Sequence, residues 1–250
     1  MTAENEMTRR LLHDAGIREG HRVLDVGCGL GSVTAIAAAL VGHDGAVVGL
    51  DRDPQILERA RERMWSLDLD NVDFVAADLD DLPRDCGSFD FIIGRRVLMY
   101  QRDPVAAIRA LLAVLRPAGV IVFQEHDTTM IPASIVPLPL HETVHHWIWN
   151  TVAREGADLH MGFRLASVLE RAGLFVEHVR AEAIVQRAAT RSDLAQVIRY
   201  IAPRIVAQGV ATEAELDVDT LDARLAAELA TTQATFIGDM VFGAWARRID

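Results

Sequence analysis

The chain has little cysteine, few aromatic residues and no long apolar run. Two cysteines in 250 residues, Cys28 and Cys86, are too few for a disulfide framework, which excludes the small secreted scaffolds and places the expectation in a reducing, cytoplasmic setting. No run of about 18 uncharged apolar residues occurs, so no membrane span or membrane partner is expected. The start, Met1-Thr-Ala-Glu-Asn-Glu, lacks the basic and apolar segments of a signal peptide. Positive charge is also short, with 25 Lys and Arg against 36 Asp and Glu and a formal net charge of −11. Such a chain repels a phosphate backbone, which argues against nucleic acid as partner. Half the residues are hydrophobic and 24% are charged, enough to build one large domain or a domain with an insertion.

What is present is concentrated in Val23-Leu-Asp-Val-Gly-Cys-Gly-Leu-Gly-Ser-Val33. Val23 to Val26 reads as a short buried strand, and Ser32 to Leu40 as an Ala-rich helix. Between them stand Gly27, Gly29 and Gly31. This arrangement aims backbone N–H groups at a ligand from a helix N-terminus, and side chains there would block its approach. A dinucleotide fingerprint wants a third glycine where this chain has Ser32. The pattern is instead Asp25-x-Gly-x-Gly-x-Gly.

The chain continues in strand–helix alternation. Strands are expected at 47–50, 72–76, 89–93 and 120–124, and helices at 7–16, 54–66 and 103–115, with a turn at Arg116-Pro-Ala-Gly119. Alternating units of this length make a parallel sheet covered on both faces, with ligands at the carboxyl ends of the strands. Asp51, Asp78 and Gly94 all fall at such ends. After Asp127 the rhythm breaks. Helices are expected at 141–155, 162–172, 191–208 (interrupted at Pro203) and 212–232, and strands at 174–185 and 236–245. The expected fold is α/β, a doubly wound, mostly parallel seven-stranded sheet with an antiparallel last strand. Its expected parts are a cofactor-binding core at 1–127, a helical lid insertion at 128–160, a core helix and strand at 161–187, a second insertion at 188–232 and a final strand at 233–250.

Val-Leu-Asp-Val-Gly-Cys-Gly-Leu-Gly, Val-Val-Gly-Leu-Asp51, Ala-Ala-Asp78-Leu and Phe-Asp90-Phe-Ile-Ile-Gly94 occur in the order and spacing of the class I S-adenosylmethionine-dependent methyltransferases. The chain resembles that family closely over residues 7–125. The resemblance implies S-adenosylmethionine as cofactor, with contacts from Asp25, Gly27, Cys28, Gly29, Gly31, Asp51, Arg52, Ala77, Asp78, Leu79, Gly94 and Arg95. Asp51 would accept the ribose hydroxyls and Asp78 the adenine amino group, with the Leu79 amide reaching a ring nitrogen. Asp80 and Asp81 read as solvated turn acids. Cys28 reads either as a small side chain under the cofactor or as a nucleophile. Arg95 or Arg96 would reach a cofactor or substrate carboxylate, or pair with a lid acid. Arg9 or Arg10 would close over the cofactor carboxylate.

Methyl transfer to a hydroxyl or an acidic carbon needs a base, and histidine titrates in the right range. His126 and His145 are the candidates. His141 and His145, four apart, share a helix face with Trp149, and these, with Tyr100, are the candidate acceptor contacts. A histidine pair at this spacing also suits zinc, but no third ligand has convincing spacing, so no metal is expected. Trp147, Trp149, Phe163, Met130 and Met161 suit a pocket for a small apolar or aromatic acceptor, or the lid's own core, and the 141–155 helix would also serve a homodimer. Two other readings stay open: an oxidoreductase, or a protein that binds the sulfonium for other chemistry.

Overall fold

In a computed structural model, described over residues 2–79, 81–82, 87–189 and 194–249, the first half builds the expected alternation. Helix α1 (Ala3–Asp14) starts earlier than apolar spacing indicates, because Thr2 Oγ1 accepts the Asn5 amide and Glu4 and Glu6 occupy the first turn, where the helix dipole favours anions. There follow β1 (Arg22–Val26), α2 (Ser32–Val41), β2 (Ala46–Asp51), α3 (Pro54–Ser66), β3 (Val72–Ala76), β4 (Phe89–Arg95), α4 (Pro104–Leu111) and β5 (Leu115–Asp127). Asp53 and Asp103 cap α3 and α4, each with proline next, where a missing N–H costs nothing. Beyond them lie α5 (Pro139–Arg154), α6 (Met161–Arg171), β6 (Phe175–Arg187), α7 (Leu194–Ala207), α8 (Glu213–Leu216), α9 (Leu221–Thr232) and β7 (Thr235–Arg247).

The seven strands run in the order β3-β2-β1-β4-β5-β7-β6, mostly parallel, with the last strands antiparallel. Parallel registers set Asp51 beside Ala76 and Val26 beside Gly94. Three expectations need correction. The Arg116–Gly119 turn is taken up inside β5 as an irregularity in the β4–β5 register, with Ala118 at φ +57°. Pro203 does not interrupt α7; the buried face of Leu194, Ala195, Ile198, Ile201 and Ile205 outweighs a cost of about 3 kcal/mol for a mid-helix proline. The expected 212–232 helix is two, because Asp217 turns left-handed (φ +41°) after the Thr212–Glu215 capping box. Asp80, Cys86 and the first residues of the expected 191–208 helix lie outside the described residues.

The chain forms two compact units. One comprises Met1–Glu125, Met161–Ala181 and Phe242–Asp250, the other His126–His160 and Glu182–Val241. The core of the first joins Leu11, Leu12, Val23, Val33, Ala37, Val47, Phe91, Ile93 and Val122. The second packs Val144 of α5 against the apolar faces of α7 and α9, through Ile198, Ile205, Leu221 and Leu225. Among the described residues no helix is long and apolar enough to cross a membrane.

Candidate active site

The glycine turn after β1 is left-handed at Gly27, Gly29 and Gly31, with φ of 62°, 53° and 73°. These values favour glycine on backbone grounds alone. Space separates two of the three positions. A β-carbon on Gly27 would come 2.8 Å from Val97 Cγ2, whereas one on Gly29 would meet nothing within 4 Å. Gly29 therefore borders open space, and Gly27 packs against the chain that follows β4. Gly31 caps α2.

Asp51 ties this turn to β2. Its Oδ2 accepts the Gly29 amide at 2.9 Å and its Oδ1 the Asp53 amide at 3.1 Å. A carboxylate offers about four acceptor positions, so each oxygen retains one for a ligand hydroxyl. The Cys28 amide donates to Leu50 O at 3.0 Å and the Ala77 amide to Asp51 O at 3.1 Å. The β1, β2 and β3 ends thus come together. Asp78 is exposed, Leu79 is buried and Arg52 is exposed.

Asp25 is placed differently. It is buried, and its Oδ2 accepts the Thr34 hydroxyl at 2.6 Å, closing β1 onto the first turn of α2. Burial is the main cause that raises its pKa to about 7, with Asp51 adding to it while Thr34 and Arg95 oppose it. Cys28 is buried too, and burial pushes its thiol up. That state opposes nucleophilic use and fits the small packed side chain. A β-carbon on Gly94 would come 2.5 Å from the Phe123 ring, so this glycine is required by packing.

Arg95 is placed against α1. Its guanidinium, mostly buried, donates to Asn5 Oδ1 at 2.9 Å and Thr8 Oγ1 at 3.1 Å, with Glu4 at 3.9 Å. It secures α1 rather than a lid acid. Arg9 spends Nε and Nη2 on Glu6 of its own helix. Glu125 is fully buried, and its Oε1 accepts the amides of Val97 and Leu98 at 3.0 and 2.8 Å. It caps the short turn Leu98–Tyr100, on which Tyr100 is exposed.

The second unit holds the histidines. His126, His141, His145 and Trp149 are all buried. His126 Nδ1 lies 3.5 Å from Asp239 Oδ1, and its ring is 5.5 Å from that of Trp149. His141 Nδ1 lies 2.7 Å from Glu228 Oε2, and the same carboxylate accepts the Leu140 and His141 amides, anchoring the first turn of α5. Burial raises the Glu228 pKa, but the His141 ring and the two amides outweigh it and hold it below the usual range. His145 has no hydrogen-bond partner on either nitrogen among the described residues. It is walled in by the Phe236 ring at 5.2 Å and by Gly238, where a β-carbon would collide with the imidazole. Burial lowers its pKa. His146 and His160 are exposed. No group of three potential metal ligands occurs among the described residues.

Against this geometry the comparisons are direct. Residues 17–173, more than half the chain, match the family model described as a methyltransferase domain. The chain belongs to that methyltransferase family. A 37.1 kDa protein from transposon Tn4556 of Streptomyces fradiae is 30% identical over 192 residues, covering 77% of this chain and 54% of that protein. Demethylmenaquinone methyltransferase of Staphylococcus aureus is 33% identical over 124 residues, covering 50% of this chain and 51% of its own. The chain thus spans about half the length of these curated relatives. A crystal structure of a putative methyltransferase from Bacillus halodurans superposes over 98% of this chain and 100% of its own with a TM-score of 0.65 at 16% identity, a likeness of fold.

Three residues beside the candidate side chains escaped the sequence reading: Thr34, Asp239 and Glu228. Thr34 reads as an ordinary helix residue. Asp239 sits in a run that reads only as a strand, and Glu228 on what reads as a solvated helix face. Nothing local marks Asp239 and Glu228, whose partners His126 and His141 lie far along the chain, whereas the Thr34 partner, Asp25, is nine residues away.

Proposed function

We propose that the chain transfers the methyl group of S-adenosylmethionine to an oxygen, nitrogen or carbon atom of a small apolar or aromatic molecule. The observation that carries this reading is the Asp51 carboxylate, locked by the Gly29 and Asp53 amides with acceptor capacity remaining. When bound, the cofactor supplies a methyl group already activated on a sulfonium sulfur. The open face of Gly29 admits the ligand, Asp51 holds the ribose hydroxyls by charge-assisted hydrogen bonds, and Asp78 with the Leu79 amide receives the adenine. Thr34 and Asp25 keep the turn in register with α2. An apolar ring acceptor is supported by the name of the Staphylococcus aureus relative, whose substrate is demethylmenaquinone.

For an acceptor that must lose a proton, we assign the base to His126. Asp239 faces its Nδ1, which stabilises the imidazolium that forms. His145, enclosed by Phe236 and Gly238, is assigned to packing. Calorimetry with S-adenosylmethionine and S-adenosylhomocysteine tests the cofactor, and acceptor-dependent release of S-adenosylhomocysteine tests the transfer. The absence of heat with either compound would sink the reading.

A further inference from the structure

The first unit has a second recess; of its lining residues, Arg9 alone was expected at the cofactor, and its Nε and Nη2 lie on Glu6. Ala35, Ile36, Ala39 and Leu40 of α2 line a groove of about 520 Å³ together with Ser32, Arg63 and, from α1, Asn5 and Arg9. The volume falls within the range of small-molecule sites. At one end, Arg63 Nη1 donates to Ser32 Oγ at 2.7 Å and Leu30 O at 3.2 Å. Arg63 is half-buried, and no carboxylate pairs with it among the described residues. The first turn of α2 carries no acid of its own, although the buried Asp25 carboxyl reaches it through Thr34. Across the groove, Arg9 lies on Glu6 of its own helix. In a chain of net charge −11, a positive end above an apolar floor is a local inversion.

We propose that this groove binds a small amphiphilic carboxylate, its head on Arg63 and Ser32 and its hydrocarbon body along Ile36, Ala39 and Leu40. The guanidinium fork matches a carboxylate in two parallel hydrogen bonds. From Ser32 to Leu40 the helix rises about 12 Å, the reach of an extended chain of about ten carbons. Because Arg63 also holds the Leu30 carbonyl inside the glycine turn, an occupant that engages it acts on the turn from outside.

Decanoate, below its micelle concentration, is the probe. Isothermal titration of the full chain is expected to show one saturable site for decanoate, with decan-1-ol and acetate each at least tenfold weaker. Arg63→Gln should weaken decanoate at least tenfold while leaving decanol unchanged. Ala39→Glu, at an exposed helix position, should abolish binding of both with the circular dichroism spectrum intact. Failure of decanoate to saturate overturns the proposal, as does binding that neither substitution changes. A dimer on light scattering that Ala39→Glu converts to monomer, with no decanoate binding, overturns it in favour of a second copy of the chain. Each readout is independent of methyl transfer, so a failure of the cofactor reading leaves the test intact.

Discussion

The amide of Gly29 donates to Asp51 Oδ2 at 2.9 Å, joining the turn after the first strand to the acid that ends the second. Asp51→Ala removes the acceptor of that amide and the proposed ribose contact together. One charge-assisted hydrogen bond is worth about 1.5–3 kcal/mol, so affinity for S-adenosylhomocysteine should fall about 10- to 100-fold by calorimetry. An unchanged affinity would separate Asp51 from the cofactor.

Asp25 should make stability depend on pH in an unusual direction. Its folded pKa, raised to about 7 by burial, lies above the unfolded value of about 3.9. The folded state therefore binds the proton more tightly. The contribution is fully present below pH of about 4 and is lost as pH rises through about 7. Asp25→Asn keeps an acceptor for Thr34 and removes the titration. Urea unfolding from pH 5 to 8 should show a decline in the parent that is flatter in the variant.

Glu228 carries the opposite sign. Its depressed pKa gives stability that is present above the unfolded carboxylate range and is lost as pH falls through the folded value. Glu228→Ala strands the His141 ring and two amides of the first turn of α5. The expected loss is about 1–3 kcal/mol, the cost of leaving buried donors without an acceptor. Glu228→Gln, which still accepts, should lose less. Hydrogen exchange over 139–154 provides a local readout.

If His126 is the base, His126→Ala should lower kcat by about 10²- to 10⁴-fold with an acceptor that must be deprotonated. Asp239→Asn should lower kcat less and shift the acidic limb of its pH profile, with KM for the cofactor unchanged. A profile unmoved by either substitution would leave the pair with packing alone.

Gly238→Ala should destabilise by about 1–3 kcal/mol through overpacking, because the new β-carbon collides with His145. The same glycine change made in a His145→Ala background should cost much less. Additive effects in this cycle, measured by urea unfolding, would show that the two do not meet.

The alternation of strands and helices was legible because each element carries its own signal over a few residues. Pro54 behind Asp53 marked one helix start to the residue, and Pro104 behind Asp103 marked another within one, although that helix ends at Leu111 rather than 115. Apolar runs at 47–50 and 72–76 marked two strands, which the structure has as Ala46–Asp51 and Val72–Ala76. Alternating glycines marked the turn. Where an element depends on a distant surface, local reading failed: α7 runs through Pro203 only because its other face is buried.

The same division holds for the candidate site. The amino-acid order by itself determined which residues stand at strand ends, because periodicity and glycine spacing are properties of neighbours in the chain. Only the tertiary structure decided that Arg95 turns to Asn5 and Thr8, that Glu125 caps Val97 and Leu98, and that His126 faces Asp239 while His145 faces Gly238. A buried charge takes whichever partner folding brings within about 3 Å, and a buried imidazole whichever neighbours wall it in; for these side chains they come from another segment of the chain.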